Sequence, residues 1–196
     1  MHPEAPLPSF RLAPGVSMIQ ASPWQTNAVA LDSPALEVMT DLTKVKAATI
    51  RPEQTLQQAE QTMIYQGVRM LFVVSEMPLL EGLITSTDLS GERPMSLVHS
   101  RNVRFDELRV GDVMTELSML DAIDYEPMLS ATVGNVVATL KRVGRNHLLV
   151  VQAAAHGAPR RVRGVVSRTQ VERQLGQLID VTPVAGSFSE VERALQ

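Results

Sequence analysis

The residues with most chemistry to offer sit in one run, Gly82-Leu83-Ile84-Thr85-Ser86-Thr87-Asp88-Leu89. A short apolar strand ends in three hydroxyls and hands over to a helix. Hydroxyls and free backbone N–H groups at one strand-to-helix corner make an anion site. A carboxylate at that helix start, Asp88, is placed to accept hydrogen bonds from a vicinal diol such as a ribose. The same residue types also serve as plain helix caps, with Thr87 or Asp88 holding the first turn. Local chemistry leaves both readings open.

Little else in the chain reads as reactive. The four histidines (His2, His99, His147, His156) show no ligand spacing with one another or with carboxylates, so no metal site is expected. His147, at a strand start, reads as a solvated or partner-bonded histidine. Asp121 and Asp124, three residues apart, face opposite sides of a strand and do not form an acid–base pair. No phosphate-binding glycine loop is present, His156-Gly157-Ala158-Pro159 is a turn, and there are no cysteines. The expectation is a site that binds, with no catalytic residue and no required cofactor.

Composition narrows the partners. The net charge is −3 and aromatics make up 4%, which argues against nucleic acid, including through Arg160, Arg161 and Arg163 on one long loop. No apolar run reaches bilayer length, and the first residues lack the basic and apolar pattern of a signal peptide. No membrane contact and a cytoplasmic location are therefore expected.

The elements that position the run occur twice. Val38-Met39-Thr40-Asp41-Leu42 returns as Val113-Met114-Thr115-Glu116-Leu117. Gly67 with Leu71-Phe72-Val73-Val74 returns as Gly144 with Leu148-Leu149-Val150-Val151, and Gly82-Leu83-Ile84-Thr85 as Gly164-Val165-Val166-Ser167. Two copies are too few for a solenoid, so they should pack as one pseudo-symmetric α+β body with a cleft where they meet.

Each copy reads as β-α-β-β-α. In the first, Val45–Ile50 is a strand, and Leu56, Ala59, Met63 and Ile64 form the apolar stripe of a helix stopped by Gly67. Residues 70–74 and 82–84 read as strands buried on both faces. A second helix begins at Thr87 and is cut short by Gly91 and Pro94. In the second copy, 120–124 is the strand, Val133, Val136, Val137, Leu140 and Val143 form the stripe, and Gly144 stops the helix. Residues 148–151 and 162–166 are strands, and 169–178 the last helix.

The expected boundaries are 1–35 for an N-terminal arm, 36–100 and 101–178 for the repeats, and 179–196 for an extension. Six of the 12 prolines fall in the arm, which also carries Phe10 and Trp24. The extension reads as a strand and an amphipathic helix capped by Ser189 with Glu192.

The ordered set of motifs resembles a pair of cystathionine-β-synthase (CBS) domains, a Bateman module, over roughly residues 36–178. Val38-Met39-Thr40, Thr49-Ile50-Arg51-Pro52, 67–74 and 82–89 carry the resemblance, with their counterparts in the second copy. It implies two β-α-β-β-α units joined through their sheets, leaving two clefts. It also implies a regulatory role, with AMP, ADP, ATP or S-adenosylmethionine as effector. By position, Thr85 would meet phosphate and Asp88 the ribose, with Ser86 in the same site. Thr49, Ile50, Arg69 and Met70 would frame the base, Arg69 being alternatively a phosphate partner or a surface charge. The second site would use Ala122, Ile123, Asn146, His147, Ser167, Arg168 and Gln170. It departs from the pattern, because Gln170 stands where the first copy has Asp88, so this site is expected to be weaker, altered or empty. Arg168 adds a cation that favours a more anionic ligand. The resemblance further implies a homodimer that acts on a separate protein partner. The rival reading is a ligand-free structural or dimerisation module.

Overall fold

The computed structural model describes residues 11, 27–153 and 159–180, and the fold is that of a tandem pair. The first copy comprises β1 (Met39–Asp41), β2 (Thr49–Ile50), α1 (Leu56–Gln66), β3 (Met70–Val73), β4 (Gly82–Thr85), α2 (Ser86–Ser90) and α3 (Glu92–Arg101). The second comprises α4 (Val110–Val113), β5 (Thr115–Glu116), β6 (Ala122–Asp124), α5 (Tyr125–Met128), α6 (Val133–Val143), β7 (His147–Gln152), β8 (Arg161–Ser167) and α7 (Arg168–Leu175).

Local chemistry explains the helix ends. Thr55 caps α1 and Thr132 caps α6, each in a reciprocal box with the residue three positions on, Gln58 and Asn135. Gly67 and Gly144 end these helices with φ of 65° and 70°, a conformation that costs other residues a Cβ clash.

The sheets are built by exchange. Their strand orders are β2-β3-β4-β5 and β6-β7-β8-β1, with β2–β3 and β6–β7 parallel and the remaining pairs antiparallel. The strand that opens each copy therefore closes the other copy's sheet. Alternation along the central strands sorts the core into layers. Leu71, Val73 and Ile84 pack under α1, and Leu148, Val150 and Val166 pack under α6. Phe72, Leu83, Leu149 and Val165 point the other way and join the two sheets. Burial on both faces is why these strands read as unbroken apolar runs.

Four expectations shift, the first being that Ile64 leaves the apolar stripe of α1, where only Leu56, Ala59 and Met63 are buried, and is itself exposed. The strand expected over 45–50 is only Thr49–Ile50. The Asp41 carboxylate accepts from the Thr43 amide (2.9 Å) and hydroxyl (2.7 Å), which folds the chain after β1 into a turn. Pro94 does not end the helical region: Gly91 opens α3, and Pro94 lies in its first turn, where a missing N–H breaks no helical bond. The last helix stops at Leu175, with Gly176 as its cap, rather than at 178. Most of the N-terminal arm lies outside the described residues, as do the turn at His156 and the strand–helix expected from 179 on, except Ile179 and Asp180, which are not in a strand.

Candidate functional site

Each copy ends its second central strand in a corner, and the two corners are built alike. Met70 pairs with Thr85 across β3–β4, and His147 pairs with Ser167 across β7–β8. The Ser86 amide donates to the Arg69 carbonyl, and the Arg168 amide to the Asn146 carbonyl, both at 2.9 Å. These bonds fix where each helix begins, and they use an N–H that an anion would otherwise take.

At the first corner Asp88 turns back on its own strand end. Its Oδ2 accepts from the Thr85 amide at 2.8 Å and from the Thr85 hydroxyl at 2.6 Å. The Asp88 amide in turn donates to Thr85 Oγ1 at 3.3 Å, which completes a capping box. Thr85 Oγ1 also lies 3.0 Å from Thr87 Oγ1. The helix-cap reading of this run is thus realised, with Thr85 as the cap. Both hydrogen bonds that the carboxylate accepts fall on Oδ2.

The second corner is wired differently. Gln170 does not close a box: its Oε1 accepts from the Thr40 hydroxyl at 3.2 Å, reaching the exchanged strand β1. The Ser167 hydroxyl makes no cap bond to α7. Arg168 pairs with Glu172 at 3.6 Å, one helical turn on.

A cleft of 1640 Å³ joins the corners. Arg69, Met70, Ser86 and Thr87 border it from the first copy, and Asn146, His147, Ser167, Arg168 and Gln170 from the second. Thr85 and Asp88 do not border it, being turned toward each other. Thr49, Ile50, Ala122 and Ile123 lie off it as well. Ile50 is in the core under α1, Thr49 and Ala122 are exposed, and Ile123 packs toward the core under α6. Residues 45–48 line the wall instead, because the turn after β1 carries them over the cleft. Their motif-free sequence gave no signal. Thr40 also borders it, a consequence of strand exchange that its own repeat motif does not disclose.

Charge in the cleft runs against that of the chain. Lys46, Arg69, Arg168 and Arg173 border it against the carboxylates Glu60 and Asp106, while the chain carries a net −3. A concave, cation-lined surface draws anions. His147 is half-buried rather than solvated. Burial holds its pKa below the ordinary value of 6.5, against the pull of Asp88 and with the push of Arg168. One imidazole thus feels a carboxylate of the first copy and a guanidinium of the second.

The other residues weighed for chemistry are in ion pairs. Asp121 meets Arg145 at 3.5 Å, and Asp124 meets Arg160 at 2.9 Å. Arg163 meets Asp41 at 3.0 Å and stacks 5.0 Å from the Tyr125 ring centroid, so the basic loop is partly neutralised. Among the described residues no helix is long and apolar enough to cross a membrane.

Residues 35–93 match the family model of the CBS domain. No curated protein matches the chain. Among solved structures, an uncharacterized conserved protein from Pyrococcus horikoshii is 17% identical, covering 79% of this chain and 100% of its own, with a TM-score of 0.53. The CBS domain of a bacterial CNNM/CorC family Mg2+ transporter, in complex with an inhibitor, is 18% identical over 76% of this chain and 81% of its own, with a TM-score of 0.50. CBSX2 from Arabidopsis thaliana, in complex with AMP, is 20% identical over 72% of this chain and 94% of its own. Its TM-score is 0.47. At these identities the likeness is one of fold.

Proposed function

Taking the chain as a CBS-domain pair protein, we propose that it is a non-enzymatic regulatory module, binding an adenosine-containing ligand in the cleft between its two copies. The observation that carries this reading is the cleft itself. It joins two strand-to-helix corners, offers Ser86, Thr87 and Ser167 hydroxyls, and is bordered by more cations than carboxylates. Half-buried Met70 and the apolar wall beside it suit a purine, while the hydroxyls and Arg168 suit a phosphate or another anionic tail. For Asp88 to meet the ribose diol its carboxylate must turn toward the cleft, which it does not border in its capping position. AMP, ADP, ATP and S-adenosylmethionine all fit this description, and the effector acts by binding two states of the module differently. A cytoplasmic setting and a separate protein partner complete the proposal.

The runner-up is a ligand-free structural or dimerisation module. What favours it is the Asp88 carboxylate, already engaged in its own helix cap.

A thermal-shift screen against AMP, ADP, ATP and S-adenosylmethionine separates the two, since a ligand that binds the native state raises the melting temperature. A rise with one of them, lost in Asp88→Ala, supports the sensor. No rise with any of them favours the structural module.

A further inference from the structure

Arg168 borders the cleft, yet its Nε is sealed from solvent and has no hydrogen-bond partner. The nearest carboxylate oxygen is Glu172 Oε1, 3.6 Å away. That same oxygen accepts a hydrogen bond from the Ile179 amide at 3.0 Å. Glu172 is only 14% exposed, and Ile179 is 4% exposed, packed into the core under α6. A cation facing the cleft and the main chain leaving α7 therefore share one buried acceptor.

This arrangement is under-satisfied. A buried N–H without an acceptor destabilises the site, and a carboxylate with so little exposure depends on its counter-charge. The guanidinium is a rigid planar fork with donors on both sides. An anion that takes the outer donors from the cleft fixes the plane of the fork, and with it the Nε–H aimed at Glu172. Gln170, in place of a carboxylate, leaves no negative charge at that position to repel the anion.

We propose that Glu172 is a positioning residue that holds Arg168 as the anion-reading group of the second corner, and that occupancy of this corner by a phosphate group tightens the anchoring of Ile179. The proposal deepens the functional reading above and rests on it only in requiring a phosphate in the cleft. Linkage makes the effect reciprocal: whatever the anion adds to the Ile179 anchor, the anchor adds to anion affinity.

The test is run on the full chain, with adenosine, ADP and inorganic pyrophosphate as probes. Affinity is read by calorimetry and anchoring by hydrogen exchange at the Ile179 amide. In the wild type, ADP and pyrophosphate should each slow that exchange by about tenfold, within the usual range of coupling between sites, and adenosine should not. Glu172→Gln keeps an acceptor for Ile179 and removes the charge. It should weaken ADP by about fivefold or more while leaving adenosine unchanged. Arg168→Gln should abolish both the preference for ADP over adenosine and the exchange response.

Equal losses for ADP and adenosine in Glu172→Gln would reduce Glu172 to a structural part and overturn the proposal. ADP binding with unchanged Ile179 exchange would also overturn it, while keeping the adenosine reading. Slowed exchange with pyrophosphate, without affinity for adenosine or ADP, would keep the coupling and remove the adenosine reading. No binding of any probe would remove both. The exchange measurement on the wild type needs no variant, so a misfolded substitution does not blunt the test.

Discussion

Asp88 and Thr85 hold each other at 2.6 Å, carboxylate to hydroxyl, and the counterpart pair Gln170 and Ser167 does not. One position of the repeat thus serves two ends. In the first copy it closes its own helix. In the second it ties the corner to Thr40 on the exchanged strand. We predict that Asp88→Ala weakens adenine-nucleotide binding by about tenfold or more, the usual scale for losing a hydrogen bond to a charged group. Gln170→Ala should change it by about twofold or less on the same scale. Titration calorimetry on both variants checks this, and equal losses would show the sites to be wrongly assigned. Asp88→Ala should also cost about 1 kcal/mol or less of stability, through loss of its half of the capping box while the Thr85 cap stays.

The layout of this corner was largely readable from the chain, and its wiring was not. Apolar runs bounded by glycine marked β3, β4, β7 and β8, because burial on both faces leaves that signature. The caps Thr55 with Gln58 and Thr132 with Asn135 came from the structure, although their spacing of three residues is the one reciprocal caps require. The Val-Met-Thr repeat showed that Thr40 and Thr115 are equivalent, but an edge strand chooses its partner through tertiary packing. Nothing local says that β1 pairs with β8. For the same reason the residues that wall the cleft at 45–48 stayed hidden, while Thr49 and Ile50 seemed better candidates.

Strand exchange has a steric requirement that can be measured. Glu116 lies opposite Gly82, and Asp41 opposite Gly164. A Cβ on Gly82 would collide with the Thr115 carbonyl oxygen. On Gly164 it would stand 2.7 Å from Met39 Sδ and 2.8 Å from the Thr40 oxygen. We expect both alanine variants to lose about 1–3 kcal/mol in urea unfolding, the range for overpacking a close-packed site. Gly82→Ala should lose more, because it meets backbone alone, whereas Met39 can swing away in part. A Gly82→Ala protein as stable as the wild type would mean that β5 does not lie against β4.

Self-association is expected from what α1 leaves uncovered. Ile64 is 74% exposed and Tyr65 92%, neighbours on a helix whose other face is core. Tyr65 is the side chain of the two that lies outside the cleft, since Ile64 also borders it, and the family resemblance implies a homodimer. Sedimentation velocity at micromolar concentration should show a homodimer, and Tyr65→Glu should shift it toward monomer. A wild-type monomer would count against this face as an interface.

His147 makes stability depend on pH in a defined window. Its folded-state pKa lies below the ordinary 6.5, chiefly because burial disfavours the charged ring. The unfolded chain therefore binds the proton more readily than the folded one, and stability rises with pH wherever that holds. The contribution is fully present above about pH 6.5 and is lost as pH falls below that value toward the folded pKa. The carboxyls held below their usual range, Asp41 and Asp112, start from 3.8 and titrate at lower pH, outside this window. Replacing His147 with Met, the residue at the matching position of the first copy, removes the titrating group and keeps an apolar side chain. Melting temperature between pH 5 and 8 should climb and then level off in the wild type, and His147→Met should flatten the rise below 6.5. A wild-type profile already flat there would mean that the ring is more solvated than its place between Met70's corner and Arg168 requires.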